Sequence, residues 1–149
     1  MAGQNQCFPG LFSQSTMMRD ARKIQKSKKE MNEAMTVREL MEKLGARNLT
    51  EGADLDKEIL CGYSCDLLSW VLAHGKQGMA WATVQTHINV IAVAVLMEMA
   101  CVILVEDVQP EAASMKKAEA EGLPVLTTSK TAYEVCTLMG EAGVLPPRE

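Results

Sequence analysis

The 149-residue chain lacks the segments that mark membrane and exported proteins. No apolar run reaches the roughly 18 uninterrupted residues that cross a bilayer, because Glu98 interrupts the longest one. The first residues, MAGQNQCFPGLF, contain neither a charged leader nor a long apolar run, so export is not indicated. We therefore expect a cytoplasmic protein with no membrane partner.

Familiar catalytic motifs are also missing. The sequence contains no G-x-x-x-x-G-K-[ST] phosphate loop, no G-x-G-x-x-G, no G-x-S-x-G and no H-E-x-x-H. With only two histidines in the chain, acid–base chemistry would need His87 together with Asp66, Glu106 or Asp107. No motif supports that combination, and the sequence predicts a protein that is not an enzyme.

The five cysteines are an odd number and are scattered, at positions 7, 61, 65, 101 and 136. The one close pair, Cys61 and Cys65, has a C-x3-C spacing, whereas redox and zinc motifs typically begin with C-x-x-C. We expect two structural thiols there, and redox or metal chemistry at this pair is the open alternative. Cys101 and Cys136 lie in apolar segments and are predicted to be small buried side chains. No cofactor and no metal are predicted.

The central stretch, residues 79–107, predicts the fold. It reads as a short apolar strand, a polar turn, an apolar helix rich in Ala, Val, Leu and Met, and a β-branched strand that ends at acidic residues. A strand, a crossover helix and a second strand form a right-handed βαβ unit with a parallel sheet. Turn and cap residues elsewhere extend the order to α-β-β-α-β-α-β-α-β-α. The predicted fold class is α/β, a three-layer sandwich around a mostly parallel sheet of about five strands.

Three regions are predicted along the chain. Residues 1–34 hold six Lys or Arg and three acids, a net charge of +3, with few apolar residues. We interpret them as a disordered or frayed helical extension, because interspersed acids and scarce aromatics do not favour nucleic-acid binding. Residues 35–144 are the α/β domain, and residues 145–149 are a tail.

Several helix starts can be predicted from caps. Thr36 and Glu39 form a capping box, and Gly45 ends that helix. Pro110 suits the first position of a helix that ends before Gly122. Short strands are expected at residues 47–50, 58–61 and 124–127. Ser64 or Asp66 precedes one helix, Thr86 another, and Thr128 or Ser129 the last.

In an open parallel sheet, ligands collect beyond the carboxyl ends of the strands, where helix N-termini also point. Four predicted loops meet this description, at residues 62–66, 85–89, 106–109 and 127–130. The candidate ligand-binding residues in them are polar: Ser64, Asp66, Gln85, Thr86, His87, Asn89, Asp107 and Thr128. Gln85, His87 and Asn89 interrupt an otherwise apolar unit, which favours a binding role for them. His87 is equally well explained as a hydrogen-bonded structural histidine.

Several runs of the sequence resemble a known family. The runs GYSCDLLS (62–69), WATVQTH (81–87) with NVIAVA (89–94), and AEAEGLPVL (118–126) are similar to a stand-alone DRTGG domain. That domain resembles the N-terminal, non-catalytic domain of HPr kinase/phosphorylase. No Asp-Arg-Thr-Gly-Gly run occurs here. Residues 85–87 and 105–107 occupy the strand ends where the conserved turn residues are expected.

The resemblance implies a regulatory module without catalysis that tends to self-associate, and some family members belong to iron-hydrogenase systems. Our leading hypothesis is a regulatory or adaptor domain, forming a homodimer, that binds a nucleotide or other anion at the strand-end crevice. A hydrogenase-related protein is a further expected partner. The alternative is a ligand-free interaction module that uses Met-rich helix faces such as Met97 and Met99. A redox or kinase-related enzyme is the third option.

Overall fold

The computed structural model describes residues 14–30 and 34–149. They belong to two separate compact units, Met1–Glu33 and Ala34–Glu149. In the first unit the helix α1 (Gln14–Glu30) lies within the segment predicted as a disordered or frayed helical extension. Its described side chains, residues 16–25, are exposed. Among the described residues, no helix is both long and apolar enough to span a bilayer.

The second unit is built on one five-stranded sheet. Its strands are β1 (Arg47–Asn48), β2 (Cys61–Ser64), β3 (Met79–Thr83), β4 (Cys101–Leu104) and β5 (Val125–Thr127), in the order β1-β5-β4-β3-β2. Only β1 runs antiparallel to its neighbour, β5. The helices of this unit are α2 (Val37–Leu44), before β1, then α3 (Leu68–His74), α4 (Ile88–Leu96) and α5 (Ala112–Glu121) between strands, and α6 (Ala132–Glu141), after β5. The predicted element order and mostly parallel sheet are confirmed.

Helices cover both faces of the sheet, which gives the three predicted layers. On one face α2 and α6 pack against one core cluster, and on the other α3, α4 and α5 pack against a second. Strand β3 is buried throughout, and its side chains alternate between the two cores. Ala80 and Ala82 face the first core, whereas Met79 and Trp81 face the second. A strand buried on both faces needs the continuous apolar run that the sequence has there.

One strand lies later in the chain than predicted. Residues 58–61 were expected to pair, but β2 begins at Cys61, in register with Met79 of β3. Glu58 makes only an isolated antiparallel bridge with Thr36. Residues 62–64, predicted as a ligand loop, therefore form most of β2. The prediction was based on the apolar residues Ile59, Leu60 and Cys61. The bounds of β2 are set instead by its parallel pairing with β3.

The helix starts were predicted with mixed success. The Thr36–Glu39 capping box and the left-handed Gly45 at the end of α2 are confirmed. The Pro110 start is wrong, because α5 begins at Ala112, after Glu111, whose N–H bonds to the Thr86 carbonyl in an extended conformation.

The Thr128 or Ser129 cap of α6 is also wrong. Thr131 caps α6 and forms a second capping box with Glu134. The same Thr-x-x-Glu pattern occurs at Thr36, so the start of α6 could have been predicted from the sequence.

The segment predicted as a tail at residues 145–149 contacts the edge of the sheet. The N–H of Gly62, on β2, donates to the Leu145 carbonyl at 2.9 Å. The Lys76 Nζ donates to the Arg148 carbonyl. The end of the chain therefore lies along the edge strand β2.

Candidate functional site

The predicted site lies at the carboxyl edge of the parallel strands. There β2, β3, β4 and β5 end at Ser64, Thr83, Leu104 and Thr127. The four loops that follow contain the candidate residues. Ser64 is exposed at the end of β2, and Thr128 is buried just after β5.

Asp66 joins the first two of these loops. Its Oδ1 accepts from the Thr83 hydroxyl at 2.8 Å and from the Val84 N–H at 3.0 Å. The Thr83 oxygen in turn accepts from the Gln85 N–H at 3.1 Å. The predicted cap of α3 by Ser64 or Asp66 is wrong, because Leu67 occupies the cap position without a side-chain hydrogen bond. The Asp66 carboxylate is directed to the β3 end instead.

His87 begins helix α4. Its Nδ1 accepts from the Asn89 N–H at 3.2 Å, so His87, and not Thr86, is the cap. The Nδ1 atom of His87 therefore has the structural hydrogen bond that was one of the two interpretations of this residue. His87 and Asn89 are both exposed, and Gln85 is half-buried. The positive end of the helix macrodipole meets solvent beside these three uncharged polar side chains.

Thr86 joins the β3–α4 loop to helix α5 through its backbone. The Thr86 carbonyl accepts from the hydroxyl of Ser114 at 2.7 Å. Ser114 is buried on α5, so this bond fixes the position of the α5 N-terminus relative to α4. The side chain of Thr86 was predicted as a helix cap or ligand-binding group, whereas it is the backbone carbonyl of Thr86 that bonds to Ser114.

The β4–α5 connection is a tight turn with unusual backbone. Glu106 and Asp107 have positive φ angles of 57° and 54°. The Val108 N–H bonds to the Val105 carbonyl at 3.2 Å, as in a type I′ turn, which normally contains Asn and Gly. The Asp107 N–H also donates to the Thr128 carbonyl at 3.0 Å, and the Glu106 N–H to the Lys130 carbonyl at 2.9 Å.

Hydrogen bonds thus connect the loop after β2 to the end of β3 (Asp66 to Thr83), the loop after β3 to helix α5 (Thr86 to Ser114), and the last two loops to each other (Asp107 to Thr128). Thr83 and Ser114 were not predicted as part of this edge, because a hydroxyl side chain inside a strand or helix matches no binding motif in the sequence.

Charge in these loops is mainly negative. Carboxylates are present at Asp66, Glu106, Asp107 and Glu111, against one cation at Lys130. The first carboxylate is engaged with Thr83, and two others lie in the turn after β4. The uncharged Gln85–Asn89 segment is therefore the part of the edge where an anion meets the least repulsion.

Cys61 and Cys65 are both free thiols. Cys61 is buried and burial raises the pKa of its thiol, whereas Cys65 is half-buried and unpaired. Burial also raises the pKa of Cys101 to about 12, which keeps this thiol protonated, as expected of a core side chain. Residues 14–30 and 34–149 contain no group of three metal-ligating side chains. Cys7 lies outside the described residues.

A cleft of about 580 Å³ opens at the other, amino edge of the sheet, away from the predicted residues. Gly78, Ala100 and Leu123, which precede β3, β4 and β5, contribute to its lining. The predicted site is thus a polar edge, and the apolar concavity lies elsewhere in the same unit.

Comparisons with known proteins agree with the family resemblance. Residues 79–142 match the sequence model of the DRTGG domain. No curated protein matches the chain significantly.

One similar solved structure comprises the CBS and DRTGG domains of the regulatory region of Clostridium perfringens pyrophosphatase, in complex with its activator diadenosine tetraphosphate. The TM-score is 0.60 at 12% identity, over 79% of this chain and 49% of that one. At this identity the similarity shows a shared fold. The match to the DRTGG sequence model covers β3 through α6, and the similar solved structure shares the fold.

Proposed function

We propose that the unit Ala34–Glu149 is a non-catalytic regulatory domain that binds a small anionic ligand, preferably a nucleotide, at the carboxyl edge of its sheet. The observation that carries the proposal is the connected set of loops around the exposed N-terminus of α4. Asp66, Thr86 and Asp107 each connect their loop by a hydrogen bond to a neighbouring strand, helix or loop, which supports transmission of a ligand's effect along this edge. DRTGG domains are regulatory, and the similar pyrophosphatase region binds a nucleotide activator.

The chemistry of the edge suggests how such a ligand lies. An anionic group fits beside Gln85, His87 and Asn89, where the α4 macrodipole is favourable. The carboxylates of Glu106 and Asp107 repel a bare polyphosphate, so a magnesium-complexed nucleotide should bind more tightly than the free one. His87 can donate from Nε2 while its Nδ1 caps the helix.

The test is a thermal-shift and calorimetric titration of the full chain with ATP and diadenosine tetraphosphate, each with and without Mg²⁺. A ligand that binds only the folded state stabilises it by about 2.7 kcal/mol at a hundred times its dissociation constant. We expect His87→Ala to abolish the shift and His74→Ala to leave it unchanged. His74 is the matched control because it lies on α3, where its ring stacks on Trp70. No shift with any nucleotide, in a chain that melts cooperatively, would refute the proposal.

A second candidate function, a ligand-free interaction module, is favoured by a different observation. Met99 is 2% exposed in the core, so the predicted Met99 surface is wrong, and Met97 is only half-buried. Helix α3 instead exposes Trp70 and Leu72, and Leu67 just before it. Self-association as a homodimer would cover these side chains.

Sedimentation velocity over a range of concentrations tests this alternative. A dimer that Trp70→Lys converts to monomer supports it, and a wild-type monomer at every concentration contradicts it. Association with a hydrogenase-related protein and a cytoplasmic location stay predictions from the sequence.

A further inference from the structure

The cleft at the amino edge of the sheet has an apolar floor. Its volume of about 580 Å³ is within the roughly 300–1,000 Å³ typical of binding pockets. Val95, near the end of α4, and Met99, just before β4, contribute to the floor. Leu60 forms one wall and is 61% exposed, and its side chain lies over Gly78. An exposed leucine beside further apolar atoms leaves a surface that water covers unfavourably.

The charge around this floor is negative. Three carboxylates line the cleft, from Glu58, Glu98 and Glu121, against one cation, Lys57. Lys117 pairs with Glu121 at 3.5 Å, whereas Glu58 and Glu98 have no ion-pair partner among the described residues.

Helix polarity adds to this negative charge. Helices α4 and α5 both end at this cleft, since Val95 and Glu121 in their last turns line it. The C-terminus of a helix carries a partial negative charge. The two edges of the sheet therefore differ, with helix N-termini at the carboxyl edge and helix C-termini at the cleft.

We propose that this cleft is a docking groove for a basic, leucine-containing peptide segment of a partner protein. A leucine side chain of the segment packs on Leu60 and Val95, and its lysines or arginines pair with Glu58 and Glu98. An anionic ligand is repelled from the same groove, so the proposal is independent of nucleotide binding at the opposite edge. Charge complementarity selects a cationic segment over the acidic unit Ala34–Glu149 of a second copy.

Fluorescence anisotropy with the full chain tests the groove, using a labelled peptide of alternating leucine and lysine as the probe. We expect saturable binding that weakens with added salt. A peptide with glutamate in place of lysine should not bind. Glu98→Gln should weaken binding by about three- to fivefold, the range of an exposed ion pair. Glu111→Gln, which makes the same charge change at the opposite edge, should leave it unaltered.

Leu60→Ser and Leu67→Ser provide a matched apolar pair, because both leucines are 61% exposed and only Leu60 lines the cleft. We expect binding to fall about fivefold or more with the former and to persist with the latter. Absence of binding at peptide concentrations up to about 1 mM overturns the proposal. Equal losses in the paired variants also overturn it, since they show general charge attraction or a site on α3.

Discussion

Replacing Asp66 with alanine tests whether the carboxyl edge is assembled before any ligand arrives. The change removes both hydrogen bonds of Oδ1, to the Thr83 hydroxyl and to the Val84 N–H. Each bond to a charged group is worth about 1.5–3 kcal/mol when protected from solvent. Asp66 is exposed, however, so water replaces part of the loss. Thr83 as a residue is only 1% exposed, so water reaches its hydroxyl less easily. We expect a loss of about 1–2 kcal/mol in the free energy of unfolding.

Urea unfolding, followed by tryptophan fluorescence in a Trp70→Phe background that leaves Trp81 as the reporter, measures this loss. The indole N–H of Trp81 donates to the Cys65 carbonyl at 2.8 Å, so this tryptophan reports on the same loop. Asp66→Asn keeps an oxygen acceptor and should cost clearly less than Asp66→Ala. Asp56→Ala is the matched control, since it removes an equal charge from an exposed pair with Arg38.

Equal, small losses in Asp66→Ala and Asp56→Ala would refute the reasoning, because Asp66 would then act as an ordinary surface charge. A loss in Asp66→Asn as large as in Asp66→Ala would refute it differently, by showing that the charge matters and the acceptor does not. A double-mutant cycle with Thr83→Val separates these cases, since a true Asp66–Thr83 bond gives a coupling energy well above about 0.5 kcal/mol.

Three further predictions concern the caps and the turn. Glu106→Asn with Asp107→Gly should stabilise the fold by about 1 kcal/mol, seen as a melting temperature higher by about 4 °C, because both positions have left-handed backbone. His87→Ala should destabilise by about 1 kcal/mol in urea unfolding, whereas His87→Asn, which can still cap α4, should cost less. Hydrogen bonds from Thr N–H groups in the two capping boxes lower the pKa values of Glu39 and Glu134 below 4.5. The stability that these two carboxylates contribute is therefore present above pH 4.5 and is lost as the pH falls through the lowered pKa values. In a double variant, Glu39→Gln with Glu134→Gln, the free energy of unfolding should depend less on pH on the acid side.

The fold was predictable because its signals are local and agree with one another. The continuous apolar run of β3 and the Thr36–Glu39 box each indicate the element that the structure contains. The bounds of β2 were not predictable, because its register is set by pairing with β3 and not by its own residues. A helix start such as that of α5 likewise depends on a distant carbonyl, that of Thr86.

The site was predictable only as a position. Parallel strands place their carboxyl ends together, so polar loops such as the one containing His87 had to meet at one edge. The role of each side chain was not predictable, because it depends on partners far along the chain. Asp66 bonds to Thr83 instead of capping α3, and Asp107 contributes its N–H instead of its carboxylate. The amino-edge cleft gave no sequence signal, since its residues come from separate elements without a shared motif.

The contact of the chain end with β2 has a mechanical consequence. Because Leu145 accepts from Gly62 on the edge strand, tension applied at Glu149 falls first on that single hydrogen bond and on the Lys76–Arg148 contact. The next bonds in line are those between β2 and β3, which a pull from the edge breaks one after another instead of all at once. A domain or surface attached at this end would therefore open the sheet from β2 inwards, at lower force than the same load applied through the buried β3 and β4.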